Sequence, residues 1–282
     1  MGVSLARLAP KSRLPEKLLF APLADGVVES SPVRQNIHNP DEFEAAVKGL
    51  LDQAGPNRKK EAAMLLPDYC ARVAVLDFEN LPGDSEERLS LIRWRLKKAL
   101  PFDVDNASIA YHVQKANAAA KQFSVLVAVS PVEVVAQYES AVRKFGLVPG
   151  YVGVSVTAAL NLVIEQGVTM LVKRSGRTLS LAIIDQGQVR LARALDEGTS
   201  GESISEDKLR EMAADLYPTF VYVADNFGAP VSKVVLAGFG SSFPLAVDVF
   251  RRELGYEAEA LKGPQGIVDA NTAGIWGYLS AN

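Results

Sequence analysis

A single cysteine, Cys70, and only two histidines, His38 and His112, occur in this chain of 282 residues. The lone cysteine rules out an intrachain disulfide, and so few soft ligands argue against a Cys/His zinc site. No apolar run approaches the roughly 18 residues that a membrane-spanning helix needs. The N-terminus carries Arg7, Lys11, Arg13 and Lys17 with no apolar stretch of signal-peptide length between them. Residues 1–17 therefore read as a mobile, solvated basic arm. Met1-Gly2 begins a myristoylation pattern, but Ala6 stands where Ser or Thr is wanted. An excess of one charge is missing too: 30 basic and 33 acidic residues leave a formal net charge of −3. There is no global electrostatic footprint for nucleic acid.

What remains is a globular composition, 48% hydrophobic and 22% charged. The length suits two domains, or one with an insertion, and suffices for a core without metals or disulfides. Cys70 lies between apolar stretches and reads as a buried, inert thiol.

Short strand signals alternate with amphipathic helices along the chain, which points to α/β or α+β layering. Asn39-Pro40 is a cap followed by a first-turn proline. It opens a helix with the apolar stripe Phe43, Val47, Leu50, Leu51 and Ala54, and Gly55-Pro56 closes it. Strands are expected at 62–66 and 72–78, with Pro67-Asp68 between them. Asp84 caps a helix over 85–100 that buries Leu89, Ile92 and Leu96, crowds Arg and Lys on its remaining faces, and stops at Pro101. Residues 107–114 alternate as a strand, and 123–129 are continuously apolar, as in a central strand. Ser130-Pro131-Val132-Glu133 reads as cap, first-turn proline and reciprocal glutamate of the next helix, which Gly146 ends. A short strand near 147–153 and a helix near 157–165 follow. Three consecutive strands are expected at 169–172, 178–184 and 188–195, with turns at 173–177 and 185–187. After them come a long helix over 205–227 containing Pro218, a strand at 233–237, the turn Gly238-Phe239-Gly240, and helices over 244–254 and 270–279.

Residues 66–113 carry a more specific pattern: Leu66-Pro67-Asp68, then Leu81-Pro82, then the acid-capped helix that ends Ile92-Arg93-Trp94-Arg95-Leu96-Lys97-Lys98-Ala99-Leu100-Pro101-Phe102-Asp103-Val104-Asp105. This stretch resembles the inserted subdomain of the PilM family, relatives of the actin-like division protein FtsA. The likeness continues through 125–130 and Phe145-Gly146-Leu147, and more weakly to the C-terminus. It implies a mixed α/β, actin-like (ribonuclease-H-like) two-domain fold with an FtsA-type insertion. Residues 1–66 with 151–167 would form the first actin-like subdomain, 67–150 the inserted subdomain, and 168–282 the second domain with a reduced lid.

Actin-like ATPases hold phosphates between two hairpins whose tips carry Asp and Gly: the glycines let backbone amides approach, and the acids position Mg²⁺ and water. This chain departs from that pattern. In 18–31 an isolated Asp25-Gly26 serves equally as an ordinary turn. In 171–177, Lys173-Arg174 stand where an acid belongs. Lys173, Arg174 and Arg177 could attract an anion, or be solvated turn charges. Gly238, Gly240 and Ser241 fit a vestigial adenosine turn, although Gly-x-Gly also serves close strand–helix packing. Only 196–230 is available as a lid over the phosphates. Asp77 and Glu79 read as a solvated strand end, and His112 as a surface residue. No catalytic residue, metal site or resident cofactor is expected. The implied function is that of a cytoplasmic scaffold of a type IV pilus inner-membrane platform, a pseudo-ATPase that receives the N-terminal cytoplasmic segment of a PilN-like membrane protein. Candidate partner-binding residues are Trp94, Arg95, Phe102, Leu160 and Leu162. The pilus motor ATPase and a second copy of the chain are further possible partners, and membrane contact is expected to be indirect. The alternatives are an active protein that binds ATP and Mg²⁺, or a GspL-like cytoplasmic domain of a type II secretion platform.

Overall fold

In the computed structural model the N-terminal residues form a strand pair. The structure describes residues 1–9, 12, 14–56, 60–114, 122–198 and 203–281. Strand β1 (Gly2–Leu8) pairs antiparallel with β2 (Pro15–Pro22). The expectation of a mobile arm over residues 1–17 is thereby corrected. The physical reason lies in helix α1 (Pro40–Ala54), whose last turn has no basic residue of its own. Its terminal carbonyls would lack partners. The Arg7 guanidinium donates to Ala54 O, and Lys17 Nζ donates to Gln53 O at 2.7 Å. Lys11 and Arg13 lie outside the described residues.

Helix α1 starts as its sequence dictates: Asn39 Oδ1 accepts from the Glu42 amide at 3.2 Å, and Gly55 ends the helix at φ 85°. Strand β3 (Glu61–Leu66) pairs in parallel with β7 (Val148–Val154). Between them in sequence comes the insertion: β4 (Arg72–Phe78), helix α2 (Ser85–Leu96), β5 (Ala107–Val113) and β6 (Phe123–Pro131). Its strands form an antiparallel sheet in the order β4-β6-β5, so the most apolar strand is central. Ile92 and Leu96 of α2 bury against Val125, Val127 and Val129 of β6. Asp84 Oδ1 caps α2 by accepting from the amides of Glu86 and Glu87 at 2.9 and 3.0 Å.

Helix α3 (Val132–Arg143) packs on α1, where Phe43 and Tyr138 meet edge to face with ring centroids 6.1 Å apart. The same apolar cluster takes in Val3 of β1, Met64 and Leu66 of β3 and Val152 of β7. Ser130 does not cap α3. The ladder with β5 continues to Pro131, so Ser130 stays extended and its buried hydroxyl donates to Cys70 O at 2.7 Å.

The second half is built on one five-stranded sheet in the order β10-β9-β8-β11-β12. Strands β8 (Thr169–Ser175), β9 (Thr178–Asp185) and β10 (Gln188–Asp196) form an antiparallel meander. Strands β11 (Lys233–Ala237) and β12 (Ala258–Ala260) add in parallel. Helices α5 (Glu206–Asn226) and α6 (Phe243–Leu254) cover the face that carries Met170 and Val172. Helices α4 (Ser155–Ala159) and α7 (Ala273–Ala281) cover the face that carries Leu171 and Val235. The helix expected near 157–165 is shorter than its sequence suggested. It tightens into a 3-10 turn at Leu160–Leu162, and Asn161 Nδ2 takes the Ala158 carbonyl at 3.1 Å before Val163 turns extended.

Helix α7 lies so close to α4 that a Cβ on Gly277 would overlap the carbonyl oxygen of Ala158. Gly49 of α1, by contrast, has open space around its Cα. Gly277→Ala should lower stability by about 1–3 kcal/mol through overpacking. Gly49→Ala should raise it by about 0.5–1 kcal/mol through helix propensity. Urea unfolding midpoints moving in opposite directions would check both.

Candidate functional site between the two halves

On β8 successive side chains point to opposite faces of the sheet. Met170 and Val172 face the α5–α6 layer, and Leu171 faces the first half of the chain. Lys173 therefore points toward the first half and Arg174 away from it. Neither is a turn residue, because β8 runs through Ser175 and the turn falls at Gly176, φ 58°. This corrects the reading of both as solvated turn charges.

Lys173 Nζ sits 2.8 Å from Asp68 Oδ2, and the two side chains are 1% and 0% exposed. Asp68 opens the 3-10 turn Asp68–Cys70 directly after β3. The Ser180 hydroxyl of β9 donates to the same oxygen at 2.9 Å, and the amide of Val156 at the start of α4 donates to Oδ1 at 2.6 Å. Both carboxylate oxygens are thus satisfied, by groups from β8, β9 and α4. A buried ion pair is tolerable only with this degree of hydrogen bonding, since desolvating two charges costs several kcal/mol each. Cys70 lies two residues on, fully buried. Burial pushes its thiol pKa far up, and its Sγ donates to Pro67 O at 2.8 Å, which is the inert thiol expected.

Arg174 is buried on the opposite face. Burial lowers its pKa, and the nearby Glu197 carboxylate opposes that shift. Glu197 also pairs with Lys208 Nζ of α5 at 3.0 Å. Burial disfavours the Lys208 charge, but its bonds to Glu197 and Glu211 outweigh this and leave its pKa raised. Arg177, at the tip of the β8–β9 hairpin, is held by both oxygens of Asp196 at 3.3 and 3.2 Å. It borders a cavity of about 70 Å³ together with Met1, Glu29, Arg34 and His38.

These donors do not suit a magnesium–triphosphate. The β8–β9 hairpin offers a lysine where a metal-positioning acid would be needed, and that lysine occupies the carboxylate nearest to it. Among the described residues no group of three or more His, Cys, Asp and Glu could hold a metal ion. Asp25-Gly26 forms an exposed turn with Gly26 at φ 83°. At the Gly-x-Gly turn, Gly238 (φ 85°) approaches β8 so closely that a Cβ would overlap Arg174 O. Phe239 is buried edge-on against Phe250, 5.9 Å between centroids. Close packing thus accounts for Gly238, while Gly240 (φ 49°) has open space beside it and Ser241 is exposed.

The sequence-derived partner residues do not gather in one place. Trp94 and Arg95 are exposed on α2, and Phe102 packs against the apolar cluster beneath that helix. Leu160 and Leu162 pack half-buried on the separate cluster under β11 and α7. A cavity of about 360 Å³ that sequence reasoning did not find lies between the loop Val33–Gln35 and the start of α3, with Pro131, Glu133, Val134 and Gln137 on its far wall. Asp68 and Ser180 were missed as well. The available signal was Leu66-Pro67-Asp68 at a strand end together with a lysine in an acid's place.

Two lobes of sheet flanked by helices, with a three-stranded insertion in the first, constitute a mixed α/β, actin-like fold. The chain is similar to one in the solved PilM–PilN type IV pilus biogenesis complex. The TM-score is 0.78 at 16% identity, covering 99% of this chain and 93% of that one. Looser likenesses are found to the cytoplasmic domain of EpsL from the type II secretion system of Vibrio cholerae (TM-score 0.44, 11% identity, 68% and 66% covered). A Bacteroides thetaiotaomicron protein of actin-like ATPase fold and unknown function also resembles it (TM-score 0.49, 9% identity, 86% and 85% covered). No protein-family model matches the sequence, and no curated protein matches it.

Lys173→Met leaves the Asp68 carboxylate buried without its cation and should cost about 3–5 kcal/mol in urea unfolding. Adding Asp68→Asn should recover most of that loss. Equal stability of Lys173→Met and the unaltered protein would show that the pair does not hold the halves together.

Proposed function

We propose that this chain is a non-hydrolysing docking body of a type IV pilus assembly platform, placed at the cytoplasmic face of the inner membrane, where it receives the N-terminal cytoplasmic segment of a PilN-like protein. Similarity over nearly the whole chain to the PilM-type fold supports the reading, and the observation that carries it is the Asp68–Lys173 pair. In an actin-like nucleotidase the corresponding region must accept a metal–triphosphate and change with its hydrolysis. Here a buried internal cation takes up the carboxylate and ties β8 to the turn after β3. Such a body suits rigid presentation of a surface more than turnover. No helix among the described residues is long and apolar enough to cross a membrane, so attachment would run through the partner.

Of the two cavities described, the one beside Val33 and α3 fits an extended segment better. Its walls combine the apolar Val33, Pro131 and Val134 with the polar Gln35, Glu133 and Gln137. Grooves of this character bind extended peptides through a few side-chain pockets and backbone hydrogen bonds. Trp94, Arg95, Phe102, Leu160 and Leu162 stand as the alternative seat.

Calorimetric titration with a synthetic peptide of the partner's N-terminal segment tests this. Binding should weaken at least about tenfold in Val33→Glu, a loss of roughly 1.4 kcal/mol, and should be unchanged in Trp94→Ala. A loss with Trp94→Ala instead would move the seat to α2, and no peptide binding would end the docking proposal. Titration with ATP and Mg²⁺ should give no saturable heat. Micromolar binding would favour the active, nucleotide-binding alternative.

A further inference from the structure

Helix α2 divides its cations into two sets. The Arg93 guanidinium turns inward and donates to Val104 O at 2.5 Å, and Lys97 Nζ pairs with Asp105 Oδ2 at 3.2 Å. Arg95 and Lys98 are exposed and make no hydrogen bond or ion pair among the described residues. Trp94, next to Arg95 and one helical turn before Lys98, is 66% exposed, on the side of the helix opposite the fully buried Ile92 and Leu96. An indole this exposed gains nothing from the core, and its neighbours are two free positive charges.

We propose that the C-terminal end of α2 and the turn that follows it, through Trp94, Arg95 and Lys98, lie against the anionic lipid headgroups of a membrane. Three features favour a bilayer over an acidic protein. The patch lies on the outer side of α2, and neither cavity described above is lined by it. Tryptophan is the side chain best matched to the headgroup layer, with an apolar ring and an N–H donor. Arginine and lysine beside it meet lipid phosphate while their methylene stems stay along the interface. Two cations and one ring make a weak contact, one that orients a body already tethered elsewhere rather than anchoring it alone. This contact is direct, in addition to the indirect attachment expected from the sequence, and it does not depend on the peptide seat.

The chain carries its own probe. It has two tryptophans, and Trp276 is 4% exposed in the core under α7. Trp94 alone should therefore respond to a surface. Tryptophan emission is followed while the full chain is titrated with phosphatidylglycerol vesicles and, separately, with phosphatidylcholine vesicles. A blue shift is expected with the first and none with the second, and it should weaken with added salt. Trp94→Phe should abolish the shift while leaving the buried Trp276 emission intact. Arg95→Glu with Lys98→Glu should lower vesicle partitioning at least about tenfold, with an unchanged urea unfolding midpoint as proof of folding. No shift with anionic vesicles, or a shift indifferent to the charge reversals, overturns the proposal. A shift with polyglutamate but not with vesicles overturns it in favour of an acidic protein partner.

Discussion

The buried pair between Lys173 and Asp68 is the constraint around which both halves are arranged. Two opposite charges leave water together only when every remaining oxygen and proton is satisfied, which is a demanding condition. Meeting it requires β8 to present Lys173, β9 to present Ser180 and α4 to present the Val156 amide, all toward one carboxylate just beyond β3. These elements belong to both sides of the cleft, so their relative placement is coupled to the pair.

The rest of the cleft follows from the same strand. Because side chains alternate along β8, placing Lys173 inward commits Arg174 to the opposite face, where Glu197 accompanies it. The backbone there is approached by Gly238, a position where any side chain would collide with Arg174 O. One strand thus supplies an ion pair to one face, a buried arginine to the other and a close backbone contact at its end. A site built this way is rigid and fully occupied by its own groups. The outer surface has two places of different character: a cavity with mixed walls beside α3, and an exposed basic stretch around Trp94.

Basic residues illustrate how composition alone misleads. Arg7 and Lys17 looked like a solvated arm, yet they serve the last carbonyls of α1. Lys173 and Arg174 looked like turn charges and are buried. Arg95 and Lys98, within two residues of the engaged Arg93 and Lys97, are the ones left to solvent. A formal charge says nothing of its partner, because the partners here are 8 to 105 residues away in sequence.

Local chemistry determined the elements. The Asn39-Pro40 start, the Asp84 cap and the strand meander after residue 168 are all where short-range hydrogen bonding and apolar periodicity place them, since those forces act within a few residues. The PilM-like pattern at 92–105 was legible for the same reason and led to the actin-like fold. Local signals misled where tertiary contacts competed. Ser130 kept to its ladder, and the helix after residue 155 was cut short beneath α7. The candidate site was legible only as a departure, a lysine in place of an acid. Finding its counterpart needed the folded chain, because the 105 residues between Asp68 and Lys173 leave no periodic trace of the contact. The exposure of Trp94 needed both levels. Helical spacing puts it opposite Ile92 and Leu96, and the packing of those two residues on β6 leaves that opposite side to solvent.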